Sequence, residues 1–437
     1  MATITLADFA SNTTLTGGNT YLMYYDINAN GYALTFDCTA GDIIIKRKGD
    51  YAFAQLDVIN TTNSTAAKRV RWTVWDDNSI GDAAPGSTGT PVKCGFEIQS
   101  IATVAQGYYY GSNFTANFWQ INYAITSATN LRIIYHNAGT VSWQNIEFKN
   151  CDYTYNSVSI ALFSVVGSGT ATFKYITYDN TNSVFGTINS QNAFLLSTTY
   201  TTAIDYIYIW NTAGTATEGP QPIRINGNST TSYSYINITD IWGGAGFYLN
   251  TNLTTVVISH CKTNFALEGS VSGSGQGKVT FKNCLFKDGR GISTQRGVQG
   301  YRISWAFNNC SWATGMQYCT YGDGLNYAIN ILNCALIGSA TSIMGGTAPT
   351  TQTNNYNALY GNGGAGNYTG GANDFTANPS FGNILGANSV IDADFVSYGP
   401  PNGYKPSTAL YQDKGSDSWD NLSVDETIYS PDGLRHN

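Results

Sequence analysis

Phe281-Lys-Asn-Cys284, Phe307-Asn-Asn-Cys310, Ile331-Leu-Asn-Cys334 and Asn355-Tyr-Asn-Ala358 repeat one unit, with Ile258-Ser-His-Cys261 ahead of them. The fourth position recurs at spacings of 23, 26, 24 and 24 residues. Upstream, Phe148-Lys-Asn-Cys151 is the same unit. Tyr178-Asp-Asn-Thr181, Ile209-Trp-Asn-Thr212 and Ile238-Thr-Asp-Ile241 fill the register between, at spacings of 30, 31, 29 and 20. Trp119-Gln120 and Trp143-Gln144 repeat at 24, so units of similar length run from about 116 to 360. A period of this size without a 3.6-residue apolar stripe, rich in Asn and β-branched residues, predicts a β-solenoid. Each turn supplies short strands, and stacked turns form parallel sheets at about 4.8 Å spacing. Identical positions then become columns, with Phe, Ile, Val and Cys inward and Asn at the turns. A propeller is the weaker alternative, because its blades run about 40–50 residues with antiparallel strands.

Composition narrows what such a fold would do. Charged residues are 11% of the 437-residue chain, 21 Lys+Arg against 28 Asp+Glu, for a formal net charge of −7. That balance excludes nucleic-acid binding through a basic footprint. Hydrophobic residues make up 42% and aromatic residues 14%, whereas disorder goes with charge and few aromatics. No apolar run reaches the ~18 residues of a membrane helix. Met1 to Thr14 carry no basic segment, apolar stretch or small-residue cleavage site, so no secretory signal is read there and synthesis in the cytosol is expected.

The eight cysteines allow three readings. No Cys-x-x-Cys occurs and the histidines are His136, His260 and His436 alone, so a four-ligand zinc site is not predicted. Cys261, Cys284, Cys310 and Cys334 would stack on successive coils, near enough for disulfides. Stacked side chains point the same way, however, and a cytosolic chain stays reduced. A column of core thiols is the main expectation.

The apolar-x-Asn-Cys-x-apolar unit, as in Phe281-Lys-Asn-Cys-Leu-Phe286, resembles the coil repeat of right-handed parallel β-helix proteins of the pectate-lyase-like superfamily. Asn378-Pro-Ser-Phe381, the stretch from Tyr404 to Ser416 and Asp432-Gly-Leu-Arg435 resemble the closing pattern of many such chains, with Leu-Tyr-Gln-Asp where a tighter Ala-Ile-Asp is usual. The resemblance covers 116–437. It implies an all-β fold, a right-handed parallel β-helix with an N-terminal cap or insertion and a C-terminal cap. On this reading 1–115 are first coils with a large insertion and a cap or attachment region, 116–365 are regular coils, and 366–437 hold the last coils and the C-terminal cap. The insertion centres on the loop Asp82 to Pro91, and the charge gathers nearby in Lys68-Arg69-Val70-Arg71 and Trp75-Asp76-Asp77. The resemblance implies little about function, because the fold hosts lyases, glycosidases, viral spikes and inert structural proteins.

The carbohydrate-acting members of that group direct attention to acid–base groups on one outer sheet. Alternation assigns them. With Phe148, Tyr178, Ile209 and Ile238 inward, Glu147 and Lys149, Thr177 and Asp179, Tyr208 and Trp210, then Asn237 and Thr239 face out. Lys149 and Asp179 fall on adjacent coils as an exposed ion pair. Glu147 and Asp179 are the candidate catalytic pair, with Cα atoms about 8 Å apart by ideal strand geometry. That is loosely comparable with the ~6.5–9.5 Å between the carboxyl groups of an inverting glycosidase. Tyr208 and Trp210, with Lys149, are the candidate ligand contacts, a platform for a sugar ring. The plainer reading is a solvated face or a subunit interface.

A second candidate is Asp288, Arg290, Arg296 and Arg302 with Asp323, the mix of cations and carboxylates a polysaccharide lyase would use. A long loop between coils is its plainer reading. Trp75-Asp76-Asp77 is a turn or a cation site. Tyr108-Tyr109-Tyr110 is a carbohydrate strip or a packed loop.

A fold found mostly outside cells, a chain without a secretory signal and a surface of Asn, Thr, Ser, Tyr and Gly point to a bacteriophage virion protein made in the host cytoplasm. Head decoration or fibre, and tail spike or baseplate appendage, both fit. Expected partners are further copies, a trimer favoured, other virion proteins and host-surface polysaccharide. No cofactor, metal, nucleic acid or membrane insertion is expected. The alternatives are a polysaccharide-degrading hydrolase or lyase, and a non-catalytic extracellular adhesin.

Overall fold

A computed structural model describes residues 2–100, 113–126, 132–153 and 161–179, the strands between 192 and 337 with some of their connections, 339–376 apart from 356 and 375, and two short strands at 428–429 and 435–436. Among the described residues every regular element is a strand. No helix there is long and apolar enough to cross a membrane. The chain divides into two compact units, one mainly Met1–Ala203 with Ile207–Ile223, the other mainly Arg224–Ser430.

In the first unit the chain visits three sheets in turn, each built from parallel strands. The first sheet stacks Thr13–Thr16, Leu34–Asp37, Val58–Thr62 and the beginning of Asn113–Asn122. The second stacks Ala2–Thr5, Asn19–Met23, Ile43–Arg47, Val70–Val74 and the end of Asn113–Asn122. Arg132–Lys149 and Ala161–Asp179 extend both. The third, five-stranded, joins Ile27–Asn28, Tyr51–Leu56, Cys94–Ser100, Ala124–Thr126 and Asp152–Tyr153. This is a parallel β-solenoid, and Ala2–Thr5 is already part of its ladder.

Because each coil repeats the register of the one before, the core reads as columns. Ile4, Tyr21, Ile45, Trp72, Ile121 and Phe148 face one another in succession. All but Ile4 are buried. Rings fill the bore: Phe36, Phe53, Trp72, Phe114, Trp119, Trp143 and Phe173 meet at centroid distances of 5.0–5.8 Å, mostly edge-on. Arg47 also points inward and is fully buried. Its guanidinium donates to the main-chain oxygens of Gly95 (2.6 Å), Asn122 (3.3 Å) and Thr73 (3.4 Å), binding turns of different coils together.

One expected register differs. Trp119 faces Ile146, and Trp143 faces Ala116, so the 24-residue echo between the Trp-Gln pairs is not the coil offset. The corner between the first two sheets explains it. Phe118 and Asn145 sit side by side in the left-handed region, at φ 53° and 56°, and the Asn145 amide donates to Asn117 Oδ1 at 2.9 Å. Trp143 ends a first-sheet strand before this corner, and Trp119 begins a second-sheet strand after it. Both are buried, on different walls of the bore.

In the second unit the repeat takes its most regular form. Ile258, Phe281, Phe307, Ile331 and Asn354 form one column. The Phe281 and Phe307 rings lie parallel within 3° at 5.1 Å. Three residues on, Cys310 and Cys334 are buried, as are Cys38, Cys151 and Cys319 elsewhere. Cys261 and Cys284 lie outside the described residues. The last repeat is offset by one from the expected alignment. Leu332 faces Asn355 and Ala335 faces Ala358, so Asn357, not Ala358, takes the cysteine slot. Asn357 is fully buried. It accepts from Cys334 N (2.9 Å) and donates to Ile331 O (2.8 Å) and Tyr368 Oη (2.9 Å).

Residues 367–374 then lie along Thr351–Asn355 through side-chain amides. Gln352 Oε1 accepts from Thr369 N, Asn354 donates to Thr369 O, and Asn355 Oδ1 accepts from Asn373 N, at 2.8–3.0 Å. The closing pattern read in 378–437 falls outside the described residues, apart from the antiparallel pair Ile428–Tyr429 and Arg435–His436.

Candidate functional site

The outer face of the second sheet carries the polar groups. Ile44, Arg71, Gln120, Glu147 and Thr177 form its outward column. Two positions along each strand, Leu22, Lys46 and Thr73, then Asn122, Lys149 and Asp179, form the next. Lys149 and Asp179 are thus neighbours across coils, as alternation predicts, and Thr177 sits beside Glu147.

The Glu147 carboxylate is fully engaged. Oε2 accepts from Arg69 (3.1 Å) and from the Gln120 amide (2.8 Å), and Oε1 pairs with Lys149 Nζ at 2.7 Å. Lys149 therefore pairs with Glu147 on its own strand. The side chain of Asp179 lies outside the described residues, as do those of Tyr208 and Trp210 in the strand Thr201–Trp210. Asp288, Arg290 and Arg302 are also outside. Of their set, Arg296 and Asp323 are placed by backbone alone, in strands Arg296–Tyr301 and Tyr318–Asp323. Tyr108-Tyr109-Tyr110 is not described.

The network continues away from Glu147. Gln120 Oε1 accepts from Arg71 (3.0 Å), whose Nε donates to Asp42 Oδ2 at 2.6 Å, and Asp42 Oδ1 accepts from Arg69 N at 2.8 Å. Asp42, Arg71, Gln120, Glu147, Arg69 and Lys149 thus tie neighbouring coils by alternating donors and acceptors. At the Asp42–Arg71 end opens a cleft of about 450 Å³, lined also by Gly18, Gly41, Ile44, Ser79 and Gly81. Sequence reasoning noted the charge of Lys68–Arg71 but not its partners. The residues that break the period between Val74 and Asn113 separate Arg71 from Gln120 by 49 positions, so no repeat length links them.

The loop after Val74 folds back over the same face. Trp75 and Ala84 pack on Leu22 and Tyr24, and Trp75 Nε1 donates to Pro85 O at 3.2 Å. Gly81, at φ 67°, lies so close to Ile44 that a Cβ would stand 2.6 Å from its Cδ1. Beneath the loop Lys46 is fully buried although its column faces outward; it donates to Asp77 O at 2.6 Å, and burial lowers its pKa. The carboxylates of Asp76 and Asp77 organise turns. Asp76 Oδ1 takes Thr88 N (2.6 Å), and Asp77 takes Ser79 N (3.0 Å) and the Thr73 hydroxyl (2.5 Å). Among the described residues no group of His, Cys, Asp and Glu is arranged to hold a metal ion.

No protein-family model matches this chain, and no curated protein is found to match it.

Proposed function

We propose that the protein is a structural, non-catalytic β-solenoid of a bacteriophage particle, a head-decorating or fibre component or a tail-spike or baseplate appendage. It contacts neighbouring subunits or host-surface glycans. The engagement of Glu147 carries the non-catalytic half of this reading. A general acid or base needs an available lone pair or proton at the substrate, and both Glu147 oxygens already accept charge-assisted bonds from Arg69 and Lys149, with a third bond from Gln120. Those bonds join coil to coil, the work of a rigid scaffold. The placement in a particle rests on low charge and the solenoid architecture. The cleft beside Asp42 and Arg71 suits glycan contact without catalysis, since a planar guanidinium–carboxylate pair beside Ile44 offers hydrogen bonds next to an apolar surface.

Two measurements test the proposal. Mass spectrometry of density-banded particles from lysing cultures that carry the gene is expected to find the chain in the particle band, and its absence there would overturn the placement. Incubation with a panel of bacterial surface polysaccharides is expected to release no oligosaccharide. Release by the wild type, lost in a Glu147→Gln/Asp179→Asn double variant, would establish a depolymerase instead.

A further inference from the structure

The cleft at the Asp42–Arg71 pair is built by repetition. Gly18, Gly41 and Ala67 stand in the connections that carry the chain from the first sheet to the second on three successive coils. Small residues let those connections approach closely: a Cβ on Gly17 would stand 2.3 Å from Gly41 O. Ile44 and Arg71 enter the lining from the second sheet, and Ile80 from the loop after Val74. At about 450 Å³ the cleft falls within the ~300–1,000 Å³ range of small-molecule sites.

Its polar groups are selective. Asp42 and Arg71 are the charged side chains among the described residues that line it, and they pair at 2.6 Å, so the lining carries no net charge. Neither is saturated. Asp42 Oδ1 accepts from Arg69 N and Oδ2 from Arg71 Nε, which leaves each oxygen a lone pair. Arg71 Nη1 donates to Gln120, and Nη2 makes no hydrogen bond among the described residues. The two side chains keep 24% and 29% of their surface accessible. A ligand must therefore donate to Asp42 and accept from Arg71 Nη2 together. One hydroxyl does both, and two hydroxyls on neighbouring carbons divide the work. A carboxylate, phosphate or sulfate accepts from Arg71 but is repelled by Asp42, and an ammonium group is repelled by Arg71. Ile44 and Ile80 supply apolar surface for ring carbons.

We propose that this cleft binds a neutral sugar ring, with vicinal hydroxyls shared between Asp42 and Arg71, and discriminates against acidic and amino sugars. The inference rests on the glycan-contact part of the proposed function and deepens it. No aromatic ring is among the described residues that line the cleft, so one site holds its sugar weakly and repeated copies supply avidity.

Saturation-transfer NMR on the full chain detects such binding. The probes are methyl glycosides of glucose, galactose and mannose, beside glucuronate, galacturonate and protonated glucosamine. Signal is expected from a neutral glycoside, unchanged by added salt, and none from the charged sugars. Ala67→Trp, at an exposed lining position, is expected to fill the cleft and abolish the signal with an unchanged circular dichroism spectrum. Asp42→Asn leaves Arg71 uncompensated and is expected to shift preference toward the uronates by about tenfold, the worth of one hydrogen bond to a charged group. Preference of the wild type for uronates would overturn the neutral-sugar inference and leave the glycan reading intact. Silence from every sugar would overturn both. A neutral-sugar signal indifferent to Ala67→Trp would overturn the role of the cleft. The ligand comparison and Ala67→Trp keep the test decisive if Asp42→Asn fails to fold.

Discussion

The two units solve the same stacking problem with different side chains. In the second, columns repeat nearly the same residue: Phe281 lies flat on Phe307, and Cys310 and Cys334 precede Asn357 in one slot. In the first, a single column runs Tyr21, Ile45, Trp72, Ile121, Phe148, and rings meet edge-on at several angles. There the coils are also joined by charged groups, Arg47 inside the bore and the Asp42-to-Lys149 network outside. Like residues stack by dispersion along the column. Unlike residues leave steps in the column, and long polar side chains reaching across coils compensate.

That contrast can be broken at its strongest point first. Arg47→Met removes the donor to the main-chain oxygens of Gly95, Asn122 and Thr73. With charge-assisted bonds worth about 1.5–3 kcal/mol each, a loss of roughly 3 kcal/mol or more is expected in the first unit. Urea unfolding followed by tryptophan fluorescence measures it. An equal shift of every transition would show that the two units unfold as one.

Phe307→Ala opens the stacked column of the second unit. A cost of about 3 kcal/mol is expected from lost burial and cavity, read by calorimetry as a fall of that unit's transition alone.

Asn357→Ala sharpens the comparison at the end of the thiol column. Cys334 N and Ile331 O lose their partner, and about 1–3 kcal/mol is expected in denaturant titration. Asn357→Cys continues the column chemically but supplies no donor for Ile331 O. It is expected to recover less than half of that loss, and full recovery would mean that shape alone matters in the slot.

The smallest effect concerns Lys46. Burial lowers its pKa from the ordinary 10.5, so the unfolded chain binds its proton more tightly than the folded one. Stability from this group therefore rises with pH between the lowered folded value and 10.5, the reverse of a lysine that gains a partner. Melting temperatures of wild type and Lys46→Met, compared from neutral to alkaline pH, should diverge in favour of the wild type as pH rises. A constant difference would mean that Lys46 stays charged beneath the loop.

The parallel solenoid was legible because the second unit repeats like residues on successive coils, Phe281 and Phe307, then Cys310 and Cys334, and a period needs only such echoes to be seen. Two finer registers misled for the same reason. Trp119 and Trp143 look alike but occupy different walls of the bore, and Ala358 looks like a small stand-in for cysteine while Asn357 fills the slot. The first coils hid their register because Tyr21, Ile45 and Trp72 share only apolarity, and because the 75–93 loop breaks the spacing. At the candidate site, alternation placed Glu147, Lys149 and Asp179 on one face. It was silent about Arg69, Arg71 and Gln120, since a partner one or two coils away across an insertion leaves no trace in local sequence. That Lys149 reaches Glu147 on its own strand depends on how far a flexible side chain bends, which residue spacing does not encode.

The buried guanidinium of Arg47 also bears on mechanics. Hydrogen bonds between coils of a parallel solenoid run along the stacking direction, so a pull on one coil peels its ladder bond by bond, each giving way before the next is loaded. Arg47 is anchored to one coil and bound to main-chain oxygens beyond it, so it works as a rivet. Tension applied at one turn is shared with others at once, and peeling at that corner must part several charge-assisted bonds together.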